Sequence, residues 1–550
     1  MKLNYKRTIL VGFAFFLISA FWQAYDSIVP MILVNKFGLS QSVSGFIMAL
    51  DNILAVVLLP LFGTLSDRTK SRYGKRTPYI VLGTILAIVT FIGMTFADNA
   101  QLENIYAEKT DEEFVCEVWE ANCDIVDVEH TEDISTKDYA AKIFFNKSYD
   151  ELNGEEKIAL KALFLDLANA DSENKNIMYS YEEETYTVNT DGKNSIRTNL
   201  LVASRTAYAK ATTSANPAPV IIFIAILLLV LISMATFRSP AVALMPDVTV
   251  KPLRSKGNAV INLMGTAGGI IVLVLGIVFG TGQFKNQMMS YTLFASAVCV
   301  VMAFGLVVFI FTVREPKWAL EMQAEQEKLD KEDEEQKKEE IRVVEKLDKA
   351  KLVSLVLILA SVALWYMGYN AVTSKYSLYA TNILDKDYNS TLIVAQAAAI
   401  FSYIPVGVLA SKIGRKKTIL LGVVILALAF FLAIFATATT PLVVMFLIFA
   451  LAGIGWATIN VNSFPMVVEL AKNGDIGKYT GYYYTASMTA QALTPWISGL
   501  IMDALGTMKP LFPYATIFVG LAFVTMFFVK HGDAKPEKVG ALESLAGADD

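Results

Sequence analysis

The sequence predicts an all-α membrane protein of twelve transmembrane helices in two six-helix bundles, with an extracytoplasmic insertion. Three observations carry that expectation. First, 54% of the 550 residues are hydrophobic and the mean hydropathy is +0.47, with charge gathered into clusters; Val220 to Met234 holds no ionisable residue at all. Second, predominantly apolar segments of about 20 residues, the length that crosses a bilayer, recur twelve times. Third, a basic hinge between two such segments, Gly63 to Arg76, has a thinner copy at Gly407 to Lys417. The net charge of −5 says little as a sum.

The segments follow in order. The first runs from Thr8 to Val34, too long for the apolar region of a signal peptide, and is read as a span. Ser42 to Leu65 and Thr77 to Ala97 come next, joined by the hinge. Residues 98–216 break the pattern with 25 acids against 11 bases and an amphipathic stretch at Tyr139 to Ala170 that includes Ile158, Leu160, Leu163, Leu165 and Leu167. A loop of that length is functional or a small domain of its own. Spans at Val220 to Pro246, Asn258 to Gly280 and Tyr291 to Val313 complete the first half. Gly265, Gly268 and Gly269 give the fifth a face for close helix approach.

Residues 314–351 hold 13 acids and 10 bases at helical spacing, which suits a solvated cytoplasmic linker. The second half runs Leu352 to Val372, Ser390 to Leu409, Thr418 to Thr437, Pro441 to Val468, Tyr479 to Leu505 and Leu511 to Val529. The domains expected are therefore 1–97, 98–216, 217–313, 314–351, 352–530 and a polar tail, 531–550. The short segments that parity places inside carry 17 Lys and Arg; the outer ones carry few, Lys285, Lys375, Lys386 and Lys509 among them. Short basic loops stay cytoplasmic, so the protein is expected to span the cell membrane with both termini in the cytoplasm.

The halves repeat each other. Tyr25-Asp26 and Tyr369-Asn370 sit at matched depth in the first and seventh segments, and Asp247 and Glu469 each close an apolar helix nine residues before a lysine. Parallel six-helix repeats place a cavity between the halves near the midplane.

The hinge resembles the signature between the second and third helices of the major facilitator superfamily, with Gly63, Asp67, Arg68, Gly74, Lys75 and Arg76 in the pattern. Leu65-Ser66-Asp67-Arg68-Thr69, Ser71 to Pro78 and Ala243-Leu244-Met245-Pro246-Asp247 are similar to the sucrose-type disaccharide:proton symporters, relatives of the glycoside–pentoside–hexuronide:cation symporters. The resemblance implies a conformational lock at the hinge, to which Asp247, Gly407, Gly414, Arg415 and Glu469 also belong. Asp67 is expected to pair with cations or with a helix end of the other half. Two departures stand out. Leu59 and Ala55 occupy positions that are acidic in sodium-coupled melibiose-type relatives, and the fourth segment has no acid before Asp247.

The coupling residues are therefore sought among ionisable side chains inside spans, which are costly there and tend to face a cavity. Asp51 lies mid-segment, Asp26 toward the outer interface and Arg238 toward the inner one. They are the candidates for proton coupling. Trp22, Gln23, Tyr25, Asn262, Trp365, Tyr366, Tyr369, Asn370 and Gln491, with Trp496, offer the flat faces and amides that a sugar needs, although any single aromatic also suits the interfacial belt.

The expected function is proton-coupled symport of a disaccharide or other glycoside by a monomer. Its partners are a small-molecule substrate, H+ and the lipid bilayer; no nucleic acid, cofactor or metal is implied. With no catalytic constellation visible, an enzyme is not expected. The alternatives are a major facilitator carrier of another solute (an exporter of amphipathic compounds or a lipid carrier) and a membrane-anchored sensor that uses 98–216. Cys116 and Cys123 could pair in the insertion, whereas Cys299 is a packing residue.

Overall fold

The computed structural model describes residues 3–108, 125–128, 132–135, 141, 145–157, 176–181, 184–189, 203–250, 253–283, 286–336, 349–468, 470 and 476–531. Among the described residues, twelve helices form the bundle. The first half contains α1 (Tyr5–Met31, extended by one π turn, Ile32–Lys36), α2 (Gln41–Arg68) and α3 (Thr77–Glu108). Two hairpins follow in the insertion, β1 (Ile125–Val128) with β2 (Glu132–Ser135) and β3 (Asn176–Tyr181) with β4 (Glu184–Asn189), both antiparallel. Then come a short helix α4 (Ala203–Ala215) and the spans α5 (Ala218–Val248), α6 (Arg254–Phe279) and α7 (Thr292–Thr312). The charged α8 (Glu315–Gln336) leads toward the second half, α9 (Lys349–Asn382), α10 (Tyr388–Ile413), α11 (Arg415–Ala433), α12 (Leu442–Val468), α13 (Ile476–Ala504) and α14 (Leu511–Phe527).

Among the described residues, nine helices are individually long and apolar enough to cross a membrane. The bent α10 makes a tenth, kinked by 48° between Tyr403 and Pro405, where proline withholds an N–H from the helical ladder. The more polar α13 and the short α14 complete the twelve. The exposed residues of the spans are largely Val, Leu, Ile and Phe, such as Val56, Val89, Val278 and Phe311, as a lipid-facing surface requires.

Each half has a core of its own. Phe21, Phe91, Leu227, Met234 and Phe294 pack in the first, and Ile358, Trp365, Tyr376, Val423 and Phe430 in the second. At Gly268 a Cβ would lie 2.5 Å from the Phe16 carbonyl oxygen, so α6 approaches α1 as its glycine face predicts. The halves meet through α2 against α13 and through α6 against α10. These are spans two with eleven and five with eight, and exchanging the halves turns one pair into the other. The repeat seen in the sequence is thus a repeat of packing.

Two helices run beyond the apolar stretches that mark them. The third segment is read to Ala97, yet α3 continues to Glu108; the seventh is read to Val372, yet α9 continues to Asn382. In both extensions some of the polar side chains are buried and find hydrogen-bond partners. Lys36 donates to both oxygens of Asp98 (2.6 and 2.7 Å) and to the Met289 carbonyl (2.7 Å), while Gln101 donates to the Lys36 carbonyl (2.9 Å). Lys36 also lies over the Tyr291 ring at 4.3 Å, and both charged side chains of the pair have 0% exposure. Hydropathy alone ends a span where polarity begins; a tertiary partner lets the helix go on.

The amphipathic residues Ile158, Leu160, Leu163, Leu165 and Leu167 lie outside the described residues, as do Cys116 and Cys123. Cys299 is buried in α7.

Candidate transport site

The end of the bundle that holds Gly63 to Arg76 is here the hinge end, and the opposite end, with Lys36 and Asp387, the far end. At the hinge end Arg76 draws three helices together. Its Nε donates to Asp247 (2.8 Å), its Nη1 to Ser66 Oγ (2.5 Å), and its Nη2 pairs with Asp67. Lys75 adds an ion pair to Asp247 at 3.2 Å and a longer one to Asp67 at 3.8 Å. Of the two partners expected for Asp67, cations or a helix end of the other half, it has the cations Arg76 and Lys75, both in its own half. The Gly63 carbonyl accepts from Arg76 at 3.4 Å, and Arg68 is exposed.

Glu315, at the start of α8 and 2% exposed, caps α3. Its carboxylate accepts the backbone N–H groups of Lys75 (2.8 Å), Arg76 (2.9 Å) and Thr77 (2.7 Å), as well as the Thr77 hydroxyl (2.7 Å). An anion at a helix N-terminus answers both the orphan donors and the dipole. The fit depends on Gly74, whose φ is +107° and whose added Cβ would lie 2.2 Å from the Glu315 carboxyl carbon. Gly74→Ala therefore combines a strained backbone with loss of the cap. We expect it to lower stability by about 1–3 kcal/mol, read as a fall in thermal midpoint in detergent; an unchanged midpoint would contradict this account of the turn.

In the second half the copy of the hinge is looser. Gly407 is buried within α10, and Gly414, with φ +91°, turns the chain directly into Arg415, the first residue of α11. Lys416 donates to the carbonyls of Phe527 and Val529 (2.9 and 2.6 Å) at the end of α14. Glu469 lies outside the described residues.

Between the ends, a cavity of about 200 Å³ is lined by residues that include Trp22, Tyr25 and Asp26 of α1, Asp51 and Asn52 of α2, and Arg238 of α5. From the other half come Asn370, Thr373 and Ser374 of α9 and Gln491 of α13. At 1.5 Å rise per residue, Asp51 lies about 15 Å from the far end of α2. The sequence sets Asp26 toward one interface and Arg238 toward the other; in the fold both line one cavity with Asp51. The Arg238 guanidinium lies over the Trp22 ring at 5.6 Å, and Asn52 donates to Asp51 Oδ1 at 2.7 Å. All the charge is on the first half's wall, and the second half contributes neutral polar groups.

The other candidate residues are placed as follows. Gln23 accepts from Gln396 across the halves at 2.9 Å and does not line the cavity. Tyr369 stacks on Trp456 (3.6 Å, 6°) and Tyr366 meets the same ring edge-on. Trp365, 0% exposed, is in the core of the second half. Asn262 is buried with its Nδ2 unpartnered, and Trp496 is exposed beside Phe46. Of the matched pairs, Asp26 and Asn370 both line the cavity, as does Tyr25, whereas Tyr369 does not. Sequence reasoning missed Asn52, Thr373 and Ser374; only the last two carry a signal, a hydroxyl pair one turn after Asn370 on the same helix face.

Two duplicated bundles of apolar spans around a mid-bundle cavity that holds two carboxylates and a guanidinium define the fold of a multi-pass membrane protein. The chain belongs to the MFS_1 like family, whose model matches residues 9–509. Over 90 residues it is 33% identical to a protein of Escherichia coli (strain K12) named "Putative glycoside/cation symporter YagG", covering 16% of this chain and 19% of that one. Over 77 residues it is 38% identical to "Uncharacterized symporter YnaJ" of Bacillus subtilis (strain 168), covering 13% and 16%. The chain thus matches only 19% and 16% of the length of these relatives. Among solved structures, the inward open conformation of the xylose transporter XylE from E. coli is similar with a TM-score of 0.57 at 13% identity, covering 98% of this chain and 99% of that one. A D-xylose-proton symporter gives 0.53 at 12% identity, covering 96% and 98%. At such identities the likeness is one of fold.

Proposed function

We propose that the protein is a secondary active transporter that carries a disaccharide or other glycoside together with a proton, by alternating access of one central cavity. The observation that carries this reading is the convergence of Asp26, Asp51 and Arg238 on a single cavity from three helices. Ionisable groups inside a membrane are expensive and are kept where an ion or a cargo visits them. A carboxylate beside a guanidinium has the two charge states that a proton carrier exploits, since protonation releases the cation to other partners.

The neutral groups Asn370, Thr373, Ser374 and Gln491, which share the cavity with Trp22, suit a polyol: amides and hydroxyls for its OH groups and a flat ring for its C–H groups. The short glycoside/cation symporter match points the same way. The hinge end is assigned to the cytoplasm on its basic charge, which puts the 98–216 insertion outside the cell membrane and makes α8 a cytoplasmic linker. The hinge network is assigned the role of a lock that holds the first half rigid as it moves.

The test is uptake of a labelled disaccharide and glycoside panel into vesicles, under an imposed proton gradient, a sodium gradient and none. Accumulation of at least one sugar that collapses with a protonophore is the expected result. Accumulation driven by sodium alone, or of no sugar in the panel, overturns the reading.

A further inference from the structure

At the far end of the bundle two charged side chains of the second half grip one backbone segment of the first. Asp503, near the end of α13, accepts the N–H groups of Gln41 and Ser42 at 2.8 Å each. These are the first two donors of α2, so the carboxylate meets both unpaired N–H groups and the positive end of the helix dipole. From α9, Lys375 reaches the same segment and donates to the Gln41 carbonyl (2.9 Å) and to its side-chain oxygen (3.2 Å). Lys375 is only 3% exposed.

The backbones around this grip touch. A Cβ at Gly45 would lie 2.0 Å from the Pro495 carbonyl oxygen, and one at Gly499 would lie 2.3 Å from that of Gln41. No side chain larger than hydrogen fits between α2 and α13 here. Further bonds across the halves gather at the same end: Asn382 to Asn35 (3.0 Å), Gln287 to Asn382, Asn389 to Thr281 (3.1 Å), and Ser377 to the backbone carbonyl of Asp26 (3.3 Å). Met31 and Val34 of α1 lie in the core of the second half.

We propose that Asp503 and Lys375 form a clasp on the N-terminus of α2 that shuts the far end of the transport path and sets the resting conformation open toward the hinge end. This rests on the alternating-access reading. Opening the far end must pull α2 away from α13. That strands a buried ammonium without its acceptors and removes the anion from two helix-terminal N–H groups, both of which are costly. The groups are matched only in the closed arrangement, and a contact biases a two-state equilibrium only through such a difference.

The experiment measures distances between spin labels in the purified full chain, in a background with its three cysteines changed to Ser. Asn216→Cys with Thr439→Cys reports the far end, and Lys70→Cys with Lys417→Cys the hinge end. In the parent, short far-end distances are expected to dominate. Asp503→Ala and Lys375→Met are each expected to raise the long far-end population severalfold and to shorten the hinge-end distances, with Asp503→Asn, which keeps an acceptor but not the charge, falling between. Distributions unchanged in folded variants overturn the clasp. Should Lys375→Met fail to fold, Asp503→Ala decides, because that carboxylate is at an exposed site. The readout needs no substrate, so it separates the clasp from the choice of cargo. A parent chain that holds one set of distances under every condition, including wedging by Gly499→Leu, would instead sink alternating access and the clasp with it.

Discussion

Asp51→Asn is expected to abolish concentrative uptake while leaving downhill exchange of the same solute measurable. Asparagine keeps the size of the side chain and an acceptor for Asn52, but it cannot take up and release a proton. The magnitude follows from the driving force. Moving one charge through 100 mV is worth about 2.3 kcal/mol, and at about 1.4 kcal/mol per tenfold a one-to-one proton symporter can sustain a gradient of about fiftyfold. The variant should lose that whole factor and equilibrate. Asp26→Asn is the necessary companion, since Asp26 lines the same cavity and the proton could reside on either carboxylate. Vesicle uptake under an imposed proton gradient, with counterflow as the control, gives the answer. If both single variants still accumulate solute against a gradient, neither acid carries the coupling.

The second large effect concerns stability. Lys36→Met is expected to destabilise the protein by about 3–5 kcal/mol, the usual cost of leaving one partner of a buried ion pair alone. Asp98 would then be a carboxylate at 0% exposure without its counter-ion. The double variant Lys36→Met with Asp98→Leu should recover most of the loss, because apolar replacement of a whole buried pair is often neutral or better. Thermal unfolding of the purified variants in detergent reads both. A single variant as stable as the parent, or a double variant no better than the single, would remove the pair from the account of how the π turn, α3 and the loop before α7 are held. The π turn is also where Asn35 crosses to Asn382, so this pair backs one side of the far-end contact.

How much of this was legible in the sequence differs from feature to feature. The twelve spans were, because a bilayer imposes a length and a polarity that any apolar run declares. The duplication was, through two basic hinges and matched pairs along the chain. That Asp26, Asp51 and Arg238 stand out inside spans was, because ionisable residues are rare there. Their common address was not. Asp26 and Arg238 are more than 200 positions apart in sequence and face one cavity only because α1, α2 and α5 pack with those faces together. The same holds for Trp365 and Tyr369. Composition marks both as aromatic, and only packing decides that one fills a core and the other stacks on Trp456.

What the sequence by itself determined is therefore the solvent of each segment: which stretches belong in lipid, which in water, and which charges are too costly to be there without a purpose. The tertiary structure alone decided partnership. It extended α3 and α9 past their apolar limits, where Asp98, Lys375 and Asn382 meet polar partners, and it kept Asp67 within its own half. It also brought the first turn of α2 between Asp503 and Lys375. The physical reason is that transfer into lipid is a property of one segment at a time, whereas a hydrogen bond or an ion pair belongs to two residues and forms only once the fold has set them side by side.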